Sequence, residues 1–308
     1  MTSLIEQAAR RLEQLRRAGA VVPESLSSEK APSVAEALTV KPARKSVETR
    51  AESSVVQTSK QVTLDLAALS AAGIVTPNSP RSHLADQFRL IKRPLLANVK
   101  AQEAGELKHG NLIMVTSSLA GEGKSFSSVN LAMSLAMELD NTVMLVDADV
   151  ARPSVLRMLG IPPGPGLLDL LEGKVDMQSA LLKTNIDKLT ILPSGTPHPK
   201  ATELLASDAM RALLDDMAQR YPDRIIIFDS PPLLLTTEAR VLATQMGQVL
   251  LVVQAERTLQ SDVQHALSTI KTCSNISLVL NKVRGVADSG YGYGYGYGYG
   301  TPSDKSTA

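Results

Sequence analysis

The 308-residue chain has no tryptophan, one cysteine and three phenylalanines, so its core must be built mainly from aliphatic side chains and methionine. The single thiol, Cys273, excludes an internal disulfide and any metal site that needs two thiolates, and it favours a reducing cytoplasm. A large excess of charge of one sign is missing too: 32 basic residues stand against 31 acidic ones, a formal net charge of +1. That balance indicates neither a nucleic-acid partner nor a strongly acidic one.

Long apolar runs are also missing from the sequence. No stretch approaches the roughly 18–20 apolar residues that a membrane-spanning helix needs. Residues 1–19 lack the apolar block of a signal peptide. We therefore expect a cytoplasmic protein that something other than its own chain would hold at a membrane.

Three segments precede the first long apolar strand. In residues 1–19, apolar side chains recur at helical spacing, which predicts an amphipathic helix. This helix is compatible with a solvated role, with docking to a partner, or with weak contact to an anionic membrane surface. Residues 20–62 lack periodicity and are rich in Ser, Pro, Ala, Glu and Lys, so we predict a flexible, disordered linker. Residues 63–106 are predicted to form a helical preface, with a short helix and then a long one interrupted or kinked near Pro94.

Residues 107–284 show a different pattern, in which short apolar runs of β-forming residues alternate with helical stretches. Strands that are apolar throughout are buried on both faces, and intervening helices predict a mostly parallel sheet in an α/β domain. The predicted strands are 112–117, 142–147, 189–194, 224–229, 248–254 and 276–282. The predicted helices lie near 124–139, 153–159, 166–183, 201–220, 236–245 and 258–272.

A phosphate-binding loop is predicted where the first of these strands meets the next helix. Glycines there let backbone N–H groups converge, and the helix N-terminus adds a positive dipole end. In such a loop the lysine reaches the β- and γ-phosphates, and the following serine binds Mg²⁺. The match is partial, because Ser118 stands where the complete pattern begins with glycine, so a turn that binds nothing is the alternative. The predicted nucleotide contacts are Ala120, Gly121, Glu122, Gly123, Lys124, Ser125 and Phe126.

Carboxylates follow two other predicted strands. Asp147 ends the strand at 142–147 and Asp149 follows at period-two spacing, while Asp229 ends the strand at 224–229. A single such aspartate is commonly a helix cap. Ligands of open parallel sheets bind at the carboxyl ends of the strands, so all three carboxylates are expected on the same rim as the loop. Together they indicate a nearby metal ion or transferable proton.

Residues 285–308 contain an alternation of tyrosine and glycine that predicts a disordered tail. Nine residues separate Lys282 from the first of these tyrosines, a span of at most roughly 30 Å. The tail can therefore reach its own site or that of a neighbour. The five tyrosines of the cluster are Tyr291, Tyr293, Tyr295, Tyr297 and Tyr299.

The loop "SLAGEGKS", the segments "VMLVDADVARPS" and "IIIFDSPP", and the tyrosine cluster together make residues 80–300 resemble the bacterial tyrosine kinases. The helical preface and the tail are most similar to the exosortase-associated tyrosine autokinases of exopolysaccharide gene clusters. The resemblance implies a P-loop NTPase-like fold and ATP and Mg²⁺ as cofactors. It also implies transfer of the γ-phosphoryl group to the tail tyrosines, in the regulation of exopolysaccharide synthesis or export.

The same resemblance assigns roles to individual residues. Lys124 and Ser125 would hold the phosphates and Mg²⁺. Asp149 and Asp229 would support the metal, with Asp229 acting through water. Asp147 is the favoured base for the tyrosine hydroxyl, although the sequence does not separate its role from that of Asp149.

Members of this family form rings through a helix with the pattern E-x-x-R-x-x-R, and here Asp86, Arg89 and Lys92 occupy its charged positions. Asp is shorter than Glu, and Lys cannot make the bidentate pair that Arg makes, so a plain solvated helix is the alternative. The resemblance further implies a membrane-embedded chain-length determinant or co-polymerase as activator and a cognate tyrosine phosphatase. The chain would then associate peripherally with the inner membrane through its partner.

Two other functions remain open from the sequence. One is a nucleotide-driven switch of the ParA or MinD type, but that class carries a second lysine where this chain has Leu119. The other is a non-enzymatic scaffold with a sticky Gly/Tyr tail. The combination of Lys124, Ser125 and three aspartates disfavours an inert scaffold.

Overall fold

The structure is a computed structural model that describes residues 59–78, 81–220 and 223–284. The predicted helix at 1–19, most of the predicted linker and the tyrosine tail at 285–308 lie outside the described residues. Within the part of the chain that is described, no helix has the length and the apolar composition needed to cross a bilayer.

A single mixed sheet organises the described residues, and its strands follow the order β1-β4-β5-β3-β6-β2-β7-β8. Every neighbouring pair is parallel except β4 and β5, so β1 and β4 run opposite to the other strands. The mostly parallel sheet that the sequence predicts is therefore confirmed. The strands are β1 (Lys60–Val62), β2 (Leu112–Ser117), β3 (Thr142–Asp147), β4 (Leu182–Thr184), β5 (Leu189–Leu192), β6 (Arg224–Asp229), β7 (Gln248–Gln254) and β8 (Ile276–Asn281).

Helices cover both faces of this sheet. Successive strand residues point to opposite faces, and in β2 Ile113 and Val115 belong to one apolar cluster whereas Leu112 and Met114 belong to the other. All six residues of β2 are buried, because β6 and β7 pair with it on either side. The helices are α1 (Leu66–Ala71), α2 (His83–Glu103), α3 (Lys124–Ala136), α4 (Val155–Met158), α5 (Leu167–Leu171), α6 (Met177–Ala180), α7 (Ala201–Leu205), α8 (Asp208–Arg220), α9 (Thr237–Ala243) and α10 (Gln260–Thr269).

One end of the predicted linker is ordered, which corrects the boundary at residue 62. Residues 60–62 form β1 and pair with β4, itself a strand where a helix was predicted. The side chain of Asn185 fastens the chain just after β1, since it accepts from Leu64 N at 2.8 Å and donates to Leu64 O at 3.2 Å. Both strands are three residues long and depend on partners far along the sequence, which local composition cannot reveal.

Two helices also differ from the prediction, one because it is divided and the other because it is continuous. The helix predicted at 166–183 is divided: Gly173 lies in the left-handed region at φ 69° after α5, and Asp176 caps α6 by accepting from Ser179 N at 2.8 Å. In contrast, α2 runs through Pro94 without a break. Its first turn is capped by Ser82, whose hydroxyl accepts from Ala85 N at 3.2 Å.

Candidate nucleotide-binding site

The predicted phosphate loop connects the buried central strand β2 to α3. Gly121 and Gly123 both lie in the left-handed region, at φ 84° and 102°, where an L side chain is strained. At Gly123 a side chain is excluded for a second reason, because a Cβ atom would overlap with Nδ2 of Asn281. The loop therefore turns tightly onto the N-terminus of a 13-residue helix, whose first N–H groups have no partner within the helix.

Lys124, the first residue of α3, brings the predicted site together. Its Nζ atom lies 2.6 Å from Asp149 Oδ2, 4.0 Å from Asp229 Oδ1 and 3.2 Å from Ser125 Oγ. The side chain of Lys124 is 12% exposed, and those of Asp149 and Asp229 are 6% and 0% exposed. One largely buried cation thus partly balances carboxylates from two separate strand ends.

Asp229 is fully buried at the end of β6. Ser128, one turn into α3, donates its hydroxyl to Asp229 Oδ1 at 3.1 Å, whereas Oδ2 is buried without a hydrogen-bond partner. Burial raises the pKa of this carboxyl group, and the positive charge of Lys124 opposes that change. An unpaired buried carboxylate oxygen is costly unless a cation or a proton reaches it.

Asp147 lies opposite Asp229 in the pairing of β3 with β6. Its Oδ2 atom accepts from the backbone N–H groups of Ser154 at 3.0 Å and Val155 at 2.9 Å, while Oδ1 is buried without a partner. Burial, followed by the charge of Asp229, raises the pKa of Asp147 to about 7 against the effect of those two N–H groups. One oxygen of Asp147 therefore holds the start of α4, and the other is a buried acceptor that no described group satisfies.

The chemistry of these groups fits magnesium that arrives with phosphates. The carboxylate oxygens of Asp149 and Asp229, together with the Ser125 hydroxyl, meet around Lys124 and are hard oxygen donors of the kind Mg²⁺ prefers. Among the described residues, no three His, Cys, Asp or Glu side chains are placed to hold a metal ion by themselves.

The side chain of Glu122 has a structural task that the sequence did not indicate. It is 2% exposed, and its Oε2 atom accepts from Leu119 N at 2.6 Å. Its Oε1 atom accepts from the Thr258 hydroxyl and from Gln254 N, so it ties the loop to the end of β7. Any contact between Glu122 and a nucleotide would therefore come from its backbone N–H.

Two other predicted contacts flank the loop. Ala120 is exposed, and Phe126 is half-buried and packs against the core on the α3 face of the sheet. A cavity of about 440 Å³ lies elsewhere, between α5, α6 and α8, and none of the predicted site residues lines it. That cavity is lined mainly by apolar side chains, whereas a glycine-containing loop at a helix N-terminus offers the backbone N–H groups that bind phosphate.

The helix with the predicted ring motif, α2, uses its three charged positions differently. Asp86 and Arg89 are exposed and pair with each other at 2.6 Å, and Arg81 also approaches Asp86 at 3.5 Å. Lys92 instead is 4% exposed and lies 2.7 Å from Glu138 within the same chain. Asp86 and Arg89 thus remain accessible to solvent, whereas the ammonium group of Lys92 is engaged internally.

Comparison with known proteins gives consistent results. A family described as an AAA domain matches residues 110–282. The chain is 29% identical over 223 residues to the tyrosine-protein kinase YwqD of Bacillus subtilis, which covers 71% of this chain and 90% of that protein. It is 32% identical over 180 residues to the tyrosine-protein kinase CpsD of Streptococcus agalactiae, 57% of this chain and 77% of that protein.

A solved structure supports the same similarity. The kinase domain of the Escherichia coli tyrosine kinase ETK superposes with a TM-score of 0.55 at 26% identity. The superposition covers 74% of this chain and 97% of that domain. The matched part of this chain therefore corresponds to nearly all of a kinase domain.

Proposed function

The chain belongs to the bacterial tyrosine-protein kinases, and from that premise we propose that it transfers the γ-phosphoryl group of ATP to its own C-terminal tyrosines. The observation that carries the proposal is the position of Lys124, which heads α3 between Asp149 and Asp229. A cation and carboxylates at this place are what a phosphoryl-transfer site requires. The proposed acceptors are Tyr291, Tyr293, Tyr295, Tyr297 and Tyr299.

ATP binds through the loop in this proposal. Backbone N–H groups of residues 120–126 donate to its phosphates, and the ammonium group of Lys124 neutralises charge that develops during transfer. Ser125, Asp149 and Asp229 would hold Mg²⁺, with Asp229 acting through water. The metal, when bound, withdraws charge from the phosphate oxygens.

Asp147 accepts the proton of the attacking tyrosine. A free tyrosine has a pKa near 10, so its hydroxyl is protonated at neutral pH and benefits from a nearby acceptor. The assignment rests on geometry: Asp149 is engaged by Lys124 and by Arg152 N, whereas Asp147 keeps one buried oxygen without a partner. Asp147 also lies directly opposite Asp229 in the sheet.

The last described strand ends close to this site, which supports the tail as substrate. β8 is parallel to β7, so it ends on the same rim as β2, β3 and β6. Lys282, the residue after β8, contacts the loop, since its Nζ atom lies 2.6 Å from Gly121 O. The first tail tyrosine is nine residues further on, within roughly 30 Å.

The biological setting proposed here follows from the family. We place the chain among the exosortase-associated autokinases, where it would regulate exopolysaccharide synthesis or export. A membrane-embedded chain-length determinant or co-polymerase would activate it and hold it at the inner membrane, and a cognate phosphatase would reverse its phosphorylation. Self-association into rings through Asp86 and Arg89 is supported by their exposure on α2.

The central test is incubation of the purified full chain with Mg·ATP, with and without the cytoplasmic segment of a candidate co-polymerase, followed by mass spectrometry of the tail peptide. We expect phosphotyrosine in the tail, and its absence under both conditions would refute the proposal. Lys124→Met should lose the signal, because it removes the ammonium group that neutralises the phosphates. A signal that persists in this variant would reveal a contaminating kinase. A variant with all five tail tyrosines replaced by phenylalanine should lose most phosphorylation yet still bind ATP.

A further inference from the structure

Two consecutive side chains at the end of β8 hold two consecutive carbonyl groups of the phosphate loop. Asn281 donates from Nδ2 to Glu122 O at 2.8 Å, and Lys282 donates from Nζ to Gly121 O at 2.6 Å. Neither residue belongs to the nucleotide-binding set predicted from the sequence. The contact joins the segment from which the tyrosine tail departs to the segment that faces the phosphates.

The backbone at Lys282 is shaped for this contact. Lys282 has a φ of 57°, a left-handed conformation that non-glycine residues adopt only where the surroundings compensate for the strain. Just before it, Asn281 O accepts from Ala255 N at 2.9 Å, which fixes the end of β8 against the chain that leaves β7. The ammonium group also lies 3.5 Å from Gln254 Oε1.

Peptide geometry gives this contact a consequence for phosphate binding. The carbonyl group of Gly121 shares a peptide plane with the N–H of Glu122, and the carbonyl group of Glu122 shares one with the N–H of Gly123. Holding the two carbonyl oxygens therefore fixes the direction in which those two N–H groups point. A hydrogen bond to a carbonyl also polarises its peptide group and strengthens the N–H on the opposite side as a donor.

We propose that Lys282 is a positioning residue for the nucleotide loop: its ammonium group orients the N–H of Glu122 toward the phosphates of ATP and couples the root of the tail to nucleotide affinity. The inference rests on the proposed function, since it takes the loop to be the ATP site. Lys282 acts through the loop backbone and needs no contact with the nucleotide. Since linkage is reciprocal, bound ATP also holds the root of the tail in place.

Other residues of the loop support the same geometry. The carboxylate of Glu122 binds Leu119 N, Gln254 N and the Thr258 hydroxyl, so the loop is anchored from within as well. Lys282 differs from these groups because it is exposed and contributes little to the core. Its replacement should therefore alter the loop without unfolding the protein.

The test measures equilibrium binding of a fluorescent ATP analogue with Mg²⁺ to the full chain in which the five tail tyrosines are phenylalanine. Lys282→Met should weaken binding about tenfold, the effect expected for loss of a charged hydrogen bond. Lys282→Arg keeps the cationic donor and should restore affinity to within about twofold of the parent, on the same reasoning. Thermal unfolding should be unchanged in both variants.

Lys183→Met is the matched control, because Lys183 is an exposed lysine on β4, far along the sheet from β8. Unchanged affinity in Lys282→Met would overturn the inference. So would an equal loss in Lys183→Met, or a failure of Lys282→Arg to restore binding. A wild-type chain that binds the analogue but forms no phosphotyrosine would contradict the proposed function alone, because this readout requires no transfer.

Discussion

Lys92 and Glu138 form an ion pair whose lysine is enclosed by the protein: Nζ lies 2.7 Å from Glu138 Oε1 and 2.6 Å from Ser134 O. The side chain of Lys92 is 5% exposed and that of Glu138 is 24% exposed. The pair joins α2 to the C-terminal end of α3. The helix that carries the exposed Asp86 and Arg89 is thereby fastened to the helix that begins with Lys124.

Glu138→Gln should lower the free energy of unfolding by about 1.5–3 kcal/mol at neutral pH, the range for a hydrogen bond to a charged group. The hydrogen bond from Lys92 lowers the pKa of Glu138 below its ordinary value of 4.5. When folding lowers the pKa of an acid, the folded state gains stability at pH values above the ordinary pKa of that acid. This added stability is lost as the pH falls through the folded-state pKa. Urea unfolding at several pH values should therefore show the wild type and variant converging as the pH falls below the ordinary pKa of a glutamate, as that linkage requires.

The control is Glu203→Gln on α7, where the glutamate is exposed. It should change stability by less than about 0.5 kcal/mol at every pH, as is usual for surface substitutions. A difference between wild type and Glu138→Gln that does not depend on pH would contradict the electrostatic explanation.

Gly123→Ala should abolish nucleotide binding and reduce stability more than Gly173→Ala does. Both glycines have a positive φ, at 102° and 69°, so each alanine bears a backbone cost of about 1–2 kcal/mol. Only at Gly123 would the new methyl group also overlap with Asn281, whereas the space around Gly173 is open. Chemical unfolding of both variants measures the difference, and equal losses would show that the overlap is relieved at no cost.

Asp147→Asn should lower the rate of tail phosphorylation by about 10²–10⁴, the range for loss of a general base. The amide oxygen of asparagine can still accept from the N–H groups of Ser154 and Val155, so α4 should keep its cap. Asp147→Ala removes both functions and should also destabilise the fold. Quantitative mass spectrometry of the tail, with ATP binding measured in parallel, separates the outcomes, and wild-type rates in Asp147→Asn would exclude Asp147 as the base.

Cys273 should react slowly with a thiol reagent in the native protein. The residue is 7% exposed, and burial raises the pKa of its thiol, so little reactive thiolate is present at neutral pH. Since it is the single cysteine of the chain, labelling reports one position. We expect the labelling rate to rise by a factor on the order of 10³ in denaturing urea, because the thiol is then exposed without any need for local unfolding. Equal rates in both conditions would contradict the burial of Cys273.

The strands that carry the site could be predicted from the sequence to within two residues. β2, β3 and β6 are short, mostly apolar runs that end in serine or aspartate. Such runs are typical of central strands, which are buried on both faces of a sheet. β1 and β4 could not be predicted, because each is held by pairing that no local pattern encodes. The same limit applies to the division of the helix predicted at 166–183, which depends on the backbone turn at Gly173.

Within the site, residue types predicted the convergence of groups but not the direction of each side chain. The rule that ligands bind at the carboxyl ends of parallel strands predicted that Asp149, Asp229 and Lys124 lie together. Their contacts confirm that they meet. It did not show that the Glu122 carboxylate turns away from the loop opening toward Thr258. That contact joins residues 136 positions apart, so only the folded chain reveals it.

The reversed direction of β1 determines where the flanking segments attach. Because β1 runs against the central strands, its first residue, Lys60, lies at the same rim as Asn281, the last residue of β8. The two strands form opposite edges of the sheet, seven strand spacings apart, or about 34 Å at 4.8 Å each. A second protein that binds the chain both next to Lys60 and next to Asn281 must therefore extend over that distance along the rim. The described chain therefore enters the sheet and leaves it at one rim, the rim where β2 ends at the loop before α3 and where β3 and β6 end at Asp147 and Asp229.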